Sequence, residues 1–212
     1  MTTGAYLRDG PEIYRQSFAI IRAEADLTRV PPDLEVAAVR MVHACGMVDL
    51  VEDLAWSDGA GTAIRAALHG GATVLTDSTM LANGVTRARL PADNTVWCGL
   101  NEPSVVAAAA AAATGTTRSA AAVDAWGDRL DGAVVAIGNA PTALFRLLDL
   151  LRAGRPRPAA IIGIPVGFVG AAESKRDLAQ DAGGVPWLTV HGRRGGSAIA
   201  AAAINALAGE DE

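Results

Sequence analysis

The feature that most constrains the fold is a regular alternation of short apolar runs and helical segments from about residue 50 onward. Six runs have the composition of strands, and they lie near Glu52–Trp56, Ala72–Thr76, Thr95–Cys98, Ala133–Ile137, Ala159–Ile164 and Trp187–Val190. Several of these runs are continuously apolar, which is typical of a parallel sheet that is covered on both faces. The sequence therefore predicts a three-layer α/β/α protein with a mostly parallel sheet and right-handed crossovers.

Helical segments lie between the predicted strands, at Gly61–His69, Glu102–Ala113, Ser119–Arg129, Pro141–Arg152, Ser174–Asp181 and Ser197–Leu207. The alanine run Ala107–Ala113 predicts a packed helix, because alanine has the highest helix propensity. The pattern shows no linker, low-complexity tail or internal repeat. We therefore expect one domain over residues 1–212, with a helical pair at about 9–45 and an alternating part at about 50–208.

Two helices precede the first strong strand. Asp9-Gly10-Pro11-Glu12 is a capping-box start, and the helix that follows continues to about Leu27. The second helix runs from Asp33 to Ala44, and Gly46 is the residue at which we expect it to stop.

His43 is the residue that is best placed for chemistry. It lies in the last turn of the second predicted helix, beside a loop, and the chain has only three histidines. Histidine ionises near neutral pH, so this position suits an acid/base step on a bound molecule. The alternative is a histidine that only caps carbonyl groups at the helix end, and the local sequence leaves both readings open. His69 is expected to end a helix, whereas His191 lies in a basic loop where a ligand contact is conceivable.

Composition and missing motifs exclude several classes of function. The net charge of −5 argues against nucleic acid and anionic membranes as partners. The apolar segments are too short or too interrupted to span a bilayer, and we expect no secretion signal. Cys45 and Cys98 stand far apart without metal-ligand spacing, so we expect free thiols, a cytoplasmic location and no metal. The sequence contains no P-loop, no dinucleotide fingerprint and no nucleophile elbow.

Five segments in order resemble the precorrin-8X methylmutase family of the cobalamin pathway, and the resemblance extends over nearly the whole chain. The segments are Tyr6–Phe18, Val42–Gly46, Thr76–Ser78, Gly138–Leu144 and Pro165–Lys175. The resemblance implies a flavodoxin-like α/β/α fold, a homodimer and no metal, nucleotide or flavin cofactor. It also implies an isomerase that moves a methyl group from ring carbon 11 to ring carbon 12 of precorrin-8X, a tetrapyrrole, to give hydrogenobyrinic acid.

The resemblance also implies roles for two residues. The acid/base histidine of the family falls on His43, and the serine that contacts substrate falls on Ser17. A proton placed on a ring nitrogen beside the migrating centre makes the neighbouring carbons more electron-poor and eases the methyl shift. Histidine can donate and recover such a proton near neutral pH.

The substrate carries several carboxylates, so an acidic protein needs arginines at its binding site. Arg40 lies one helical turn before His43 and on the same face. Arg118 follows a polar break between two predicted helices, and Arg15 lies on the first helix near Ser17. We expect Arg40 and Arg118 to be the main carboxylate clamps, followed by Arg15.

Asn139 and Lys175 are further candidates for substrate binding, although the sequence does not place them relative to His43. Backbone N–H groups at the helix starts after Gly138 and Gly170 are expected to hold additional carboxylates, as helix N-termini commonly do. The residues leave other functions open. These are the equivalent methyl shift on cobalt-precorrin-8, a non-catalytic tetrapyrrole carrier and a flavodoxin-like nucleotide binder; the missing phosphate loop argues against the last.

Overall fold

A computed structural model describes residues 6–112 and 115–209. Its sheet has six strands: β1 (Leu54–Trp56), β2 (Val74–Thr76), β3 (Val96–Trp97), β4 (Val134–Ile137), β5 (Ala160–Gly163) and β6 (Trp187–Val190). Each strand lies within one of the six apolar runs, so all six predicted strands are confirmed.

The strands lie in the order β1-β6-β5-β4-β2-β3. The pairs from β6 to β3 are all parallel, whereas β1 is antiparallel to β6. The five parallel strands, numbered along the chain, have the order 2-1-3-4-5 from β3 to β6, which is the flavodoxin-like arrangement. The predicted fold class is confirmed.

The described helices are α1 (Gly10–Glu24), α2 (Glu35–Cys45), α3 (Ala60–His69), α4 (Thr79–Gly84), α5 (Pro103–Ala111), α6 (Arg118–Asp124), α7 (Pro141–Arg152), α8 (Ala171–Gln180) and α9 (Ser197–Ala208). None of these, within the described chain, is long and apolar enough to cross a bilayer. The sequence missed α4 and the 3₁₀ helices Val48–Asp53 and Arg87–Arg89. It predicted one helix at Ser119–Arg129 where the structure has α6 followed by the 3₁₀ helix Gly127–Leu130. It also placed the end of α1 three residues too late.

Side chains on the strands alternate between two apolar layers. Val134 and Ala136 of β4 belong to the layer formed with α1, α2, α3 and α9, whereas Val135 and Ile137 belong to the layer formed with α6, α7 and α8. On the first face α2 packs mainly on α9, and α1 packs on α2. The helical pair that carries His43 is therefore stacked outside α9.

The alanine-rich helix α5 differs from the expectation. Val105 is buried against Ala121 and Ala122 of α6, but Val106 is 42% exposed. Most of the other described α5 side chains are also exposed, and the last residue of the predicted segment, Ala113, lies outside the described residues. The prediction of a packed helix is wrong for most of this run, because the buried contacts of α5 are made mainly with α6 and leave its other side exposed.

Candidate active site

Helix α1 presents one face to α2. Its N-cap is Asp9, whose carboxylate accepts a hydrogen bond from the backbone N–H of Glu12 at 3.3 Å. This contact confirms the predicted start of the helix. Ser17 and Phe18 follow Tyr14 by three and four residues, so both lie on the same side of the helix as Tyr14.

Helix α2 ends just beyond His43. Gly46 adopts the left-handed conformation with φ of 69°, and its N–H donates to the carbonyl of Val42 at 2.8 Å. This C-cap confirms the predicted stop. His43 is half-buried and is held in the last turn of a helix whose end is well defined.

Ser17 and His43 are in direct contact. The Ser17 Oγ and the His43 Nδ1 are 2.8 Å apart. The contact fixes the orientation of the imidazole ring, and the tautomer decides which atom donates. No other hydrogen bond of the His43 ring occurs within residues 6–112 and 115–209. The Nε2 atom is therefore available to a ligand.

Two aromatic rings of α1 hold the imidazole. The Phe18 ring meets it edge-on with centroids 5.3 Å apart, and the Tyr14 ring lies at the same centroid distance with a tilt of 35°. Phe18 is buried, whereas Tyr14 is 52% exposed. Sequence reasoning missed both rings. The signal that would have indicated them is the position of Tyr14, three residues before Ser17 and four before Phe18.

His43 lines two pockets. The first has a volume of about 460 Å³ and an apolar wall that includes Leu7, Ile13, Ile20 and Val42. The second, of about 260 Å³, lies between Tyr14, Arg40 and the alanines of α9. The histidine thus lies between an apolar pocket and a pocket that contains a guanidinium group, which suits a ligand with an apolar ring and charged side chains.

Arg40 and Arg15 are brought towards this site. The Arg40 guanidinium carbon lies 5.4 Å from the centre of the Phe18 ring, and burial lowers the pKa of Arg40. Arg15 is exposed and forms an ion pair with Glu12. A third pocket of about 500 Å³ is lined by four arginines: Arg15, Arg22, Arg40 and Arg89.

Three predicted site residues lie elsewhere. Arg118 is exposed at the start of α6, on the opposite face of the sheet from α2. Asn139 is exposed just beyond β4, and Lys175 is fully buried in α8. None of the three lines either of the His43 pockets. Their roles in substrate binding stay predictions.

The crevice between β2 and β4 is closed by a carboxylate of the protein itself. Asp77 is buried and accepts hydrogen bonds from the backbone N–H groups of Gly138, Asn139 and Ala140 at 3.0, 2.9 and 2.7 Å. Burial raises the pKa of Asp77, and the three amide donors oppose that shift. These donors were expected to bind a carboxylate of the substrate. That expectation is wrong for these three donors, because Asp77 already accepts hydrogen bonds from them.

Lys175 has a comparable internal role. Its Nζ donates to the backbone carbonyl of Arg194 at 2.6 Å, and the Arg194 side chain forms ion pairs with Asp49 and Asp53. Burial lowers the pKa of Lys175 to about 8, and the charge of Asp53 acts in the opposite direction. The buried amine therefore holds the loop that follows β6.

The flavodoxin-like α/β fold thus carries a histidine that contacts a serine and lies between two pockets, which is the arrangement of a candidate ligand-binding site. Residues 12–210 match the family model described as precorrin-8X methylmutase. The chain is 63% identical over 207 residues to the precorrin-8X methylmutase of Pseudomonas aeruginosa, which covers 98% of this chain and 99% of that relative. It is 35% identical over 209 residues to the cobalt-precorrin-8 methylmutase of Salmonella typhimurium, with coverage of 95% and 96%.

The fold comparison agrees. A crystal structure of precorrin-8x methyl mutase from Thermus thermophilus has a TM-score of 0.85 and 40% sequence identity, and the match covers 94% of this chain and 95% of that one. The chain belongs to the precorrin-8X methylmutase family and is an isomerase of cobalamin biosynthesis. The resemblance drawn from the sequence motifs is confirmed.

Proposed function

We propose that this isomerase moves a methyl group from ring carbon 11 to ring carbon 12 of precorrin-8X, giving hydrogenobyrinic acid, and that His43 is the proton donor and acceptor. The observation that carries the proposal is the 2.8 Å contact between Ser17 Oγ and His43 Nδ1. This contact orients the ring and leaves Nε2 free to face the substrate.

The reaction is balanced without any other reactant. The bond from the methyl group to carbon 11 breaks, the bond to carbon 12 forms, and double bonds shift around the conjugated ring. The Nε2 atom of the His43 imidazolium lends a proton to a ring nitrogen and recovers it after the shift. Acid/base assistance of this kind contributes roughly 10²–10⁴-fold to the rate.

The Ser17 hydroxyl supports both forms of the imidazole. The imidazolium carries a proton on Nδ1, and so does the neutral tautomer that remains after Nε2 has given up its proton. The Ser17 oxygen accepts a hydrogen bond from Nδ1–H in both cases. The ring therefore keeps its orientation during proton transfer, which favours a productive geometry.

The degree of similarity supports the cobalt-free substrate. Identity is 63% to the precorrin-8X methylmutase of Pseudomonas aeruginosa and 35% to the cobalt-precorrin-8 methylmutase of Salmonella typhimurium. We expect efficient turnover of precorrin-8X and slow turnover of cobalt-precorrin-8 when both are assayed side by side. Faster turnover of the cobalt substrate would reverse this part of the proposal.

The proton role is tested by comparing His43→Ala with His69→Ala. His69 is an exposed histidine in the last turn of α3 and is the matched control. Formation of the corrin product is followed by its visible spectrum. We expect His43→Ala to lose about 10²–10⁴-fold in kcat while keeping product affinity, and His69→Ala to behave as the wild type. Unchanged turnover in His43→Ala would refute the proton role, and tight binding by a wild-type protein without turnover would favour a carrier.

We also propose a homodimer. Phe168 and Val169, in the loop after β5, are 83% and 89% exposed, and Ile20 on α1 is 54% exposed. Apolar side chains at this level of exposure are typical of surfaces that another chain covers. Sedimentation velocity on the wild type and on Phe168→Ser tests this assignment. A monomeric wild type would contradict it.

A further inference from the structure

We propose that Arg89 and Arg40 together form a carboxylate-binding subsite beside His43, which makes Arg89 a further substrate-binding residue. The inference rests on the proposed function, because the ligand is one carboxylate side chain of the tetrapyrrole. Arg89 has no signal in the sequence. In the structure Arg89 ends the 3₁₀ helix Arg87–Arg89 and lines the same pocket as residues of α1 and α2.

The pocket that contains both side chains has an excess of positive charge. It has a volume of about 500 Å³, and its wall contains four arginines and no acidic residue. Arg15 is paired with Glu12 and Arg22 with Glu35. The other two guanidinium groups, those of Arg40 and Arg89, form no hydrogen bond or ion pair within residues 6–112 and 115–209.

Arg40 is the more informative of the two. Its Nε atom is excluded from solvent and has no hydrogen-bond partner in the described chain. A buried N–H group without a partner costs free energy, so native structures rarely retain one unless a ligand or water completes it. Burial, and then the positive charge of Arg89, lower the pKa of Arg40. A bound anion relieves the repulsion between the Arg40 and Arg89 guanidinium groups.

A carboxylate is the anion that fits the chemistry of the pocket. A guanidinium group presents its donors in a planar fork that matches the two oxygens of a carboxylate. The Phe18 ring contacts both the Arg40 guanidinium and the His43 imidazole. A carboxylate that is bound at Arg40 therefore belongs to a molecule whose ring lies next to His43.

The neighbouring residue Arg87 provides a contrast within the same short helix. Its Nη1 donates to the carbonyls of Ala82 and Val85 at 2.9 and 3.0 Å, which ties the turn to α4. Arg87 therefore has a structural role, whereas Arg89 is half-buried at the pocket without a partner. Two arginines two positions apart thus have different uses.

The test compares Arg89→Gln with Arg155→Gln, a change of the same charge at an exposed arginine between α7 and β5. Binding of hydrogenobyrinic acid, and of a corrin whose carboxylates have been converted to amides, is titrated by visible absorbance. We expect Arg89→Gln to weaken binding of the acid about 10- to 100-fold and to leave binding of the amide unchanged. Arg155→Gln should change neither affinity, and Arg89→Lys should recover part of the loss.

Kinetics and stability separate a binding role from a structural one. In Arg89→Gln the effect should appear in KM, with kcat near the wild-type value, because the Ser17–His43 contact is untouched. Thermal unfolding without ligand should occur at or above the wild-type temperature, because the repulsion between Arg40 and Arg89 has been removed. A lower unfolding temperature, or an equal loss of affinity for the amide, would overturn the inference.

The outcomes also distinguish this inference from the proposed function. A wild-type protein that turns over precorrin-8X, with unchanged acid affinity in Arg89→Gln, rejects the subsite and leaves the methyl shift standing. A wild-type protein that neither binds the corrin acid nor turns over the substrate rejects both.

Discussion

Two groups of polar side chains in this protein differ in how much hydrogen-bonding capacity they leave unused. In the open cluster, formed by Ser17, His43, Arg40 and Arg89, one imidazole nitrogen and two guanidinium groups have no hydrogen-bond partner in the described chain and lie beside pockets. In the closed cluster, formed by Asp77 and Lys175, each charged group is buried and bonded to backbone groups.

The difference separates residues that serve a ligand from residues that hold the fold. Charged groups that are buried and bonded to the backbone stabilise one arrangement of the chain, and their burial separates them from a substrate. Groups with unused capacity beside a cavity remain able to bond to a ligand. Both clusters lie partly in segments that carry the family resemblance, so membership of a motif does not tell the two apart.

The largest effect on stability is expected for Asp77→Asn. The substitution removes the charge and turns an amide NH₂ group towards backbone N–H donors of Gly138, Asn139 or Ala140, so that at least one donor loses its acceptor. We expect the free energy of unfolding, measured in urea, to fall by about 2–4 kcal/mol. Asp128→Asn, at an exposed position, should change it by less than about 0.5 kcal/mol.

The same variant can break the comparison. At a temperature where Asp77→Asn is fully folded, turnover should match the wild type, because Asp77 is buried and bonded to the backbone of Gly138, Asn139 and Ala140. If the variant is folded and as stable as the wild type but has lost turnover, Asp77 serves the reaction and belongs to the open cluster.

A smaller, pH-dependent effect is expected at Lys175. Its pKa falls from 10.5 to about 8 in the folded protein. Between these values the unfolded chain holds a proton that the folded protein does not, so stability rises with pH across this window. Below pH 8 the folded protein bears the full cost of the buried ammonium, and this cost is lost as the pH rises towards 10.5.

Lys175→Met tests this linkage, because methionine keeps a long side chain and does not titrate. Urea unfolding of the wild type and of Lys175→Met is measured at pH values of about 7, 9 and 10.5. The difference between their free energies of unfolding reports on Lys175, because the titrating groups that both proteins share contribute equally to each. We expect the methionine variant to become steadily less stable relative to the wild type as the pH rises from about 8 to about 10.5. A difference that does not depend on pH would contradict the lowered pKa of Lys175. Product binding weakened more than about tenfold would place Lys175 among residues that face the substrate.

The sequence predicted the sheet well for a physical reason. Continuously apolar runs are required where both faces of a parallel strand are buried, so composition alone located all six strands. The capped ends of α1 and α2 could also be predicted from the sequence, because Asp9 and Gly46 bond to backbone groups within one helical turn. The role of Ser17 came from the family resemblance, and the structure adds its contact with His43.

Long-range partners could not be predicted in this way. Asp77 is bonded to amides about 60 positions away, and Lys175 to the carbonyl of Arg194, so local sequence could not show that their capacity was already used. Arg89 lies on a short 3₁₀ helix, which the hydrophobic periodicity of the sequence did not predict. Arg118 was favoured because it follows a polar break, yet α6 lies across the sheet from His43.

The smallest effect is expected in the open cluster, at Ser17→Ala. Loss of the 2.8 Å contact leaves the His43 Nδ1 without a fixed partner, so the imidazole samples orientations that do not serve proton transfer. One neutral hydrogen bond corresponds to about a 3- to 10-fold loss in kcat. Ser104→Ala, at an exposed serine on α5, is the matched control and should retain wild-type kcat.

The free energy of unfolding of Ser17→Ala should change by less than about 1 kcal/mol, because the site is half-exposed and water can replace the hydroxyl. A loss of stability comparable to that of Asp77→Asn, with kcat retained, would show that the Ser17–His43 contact holds the helical pair together and does not serve the reaction.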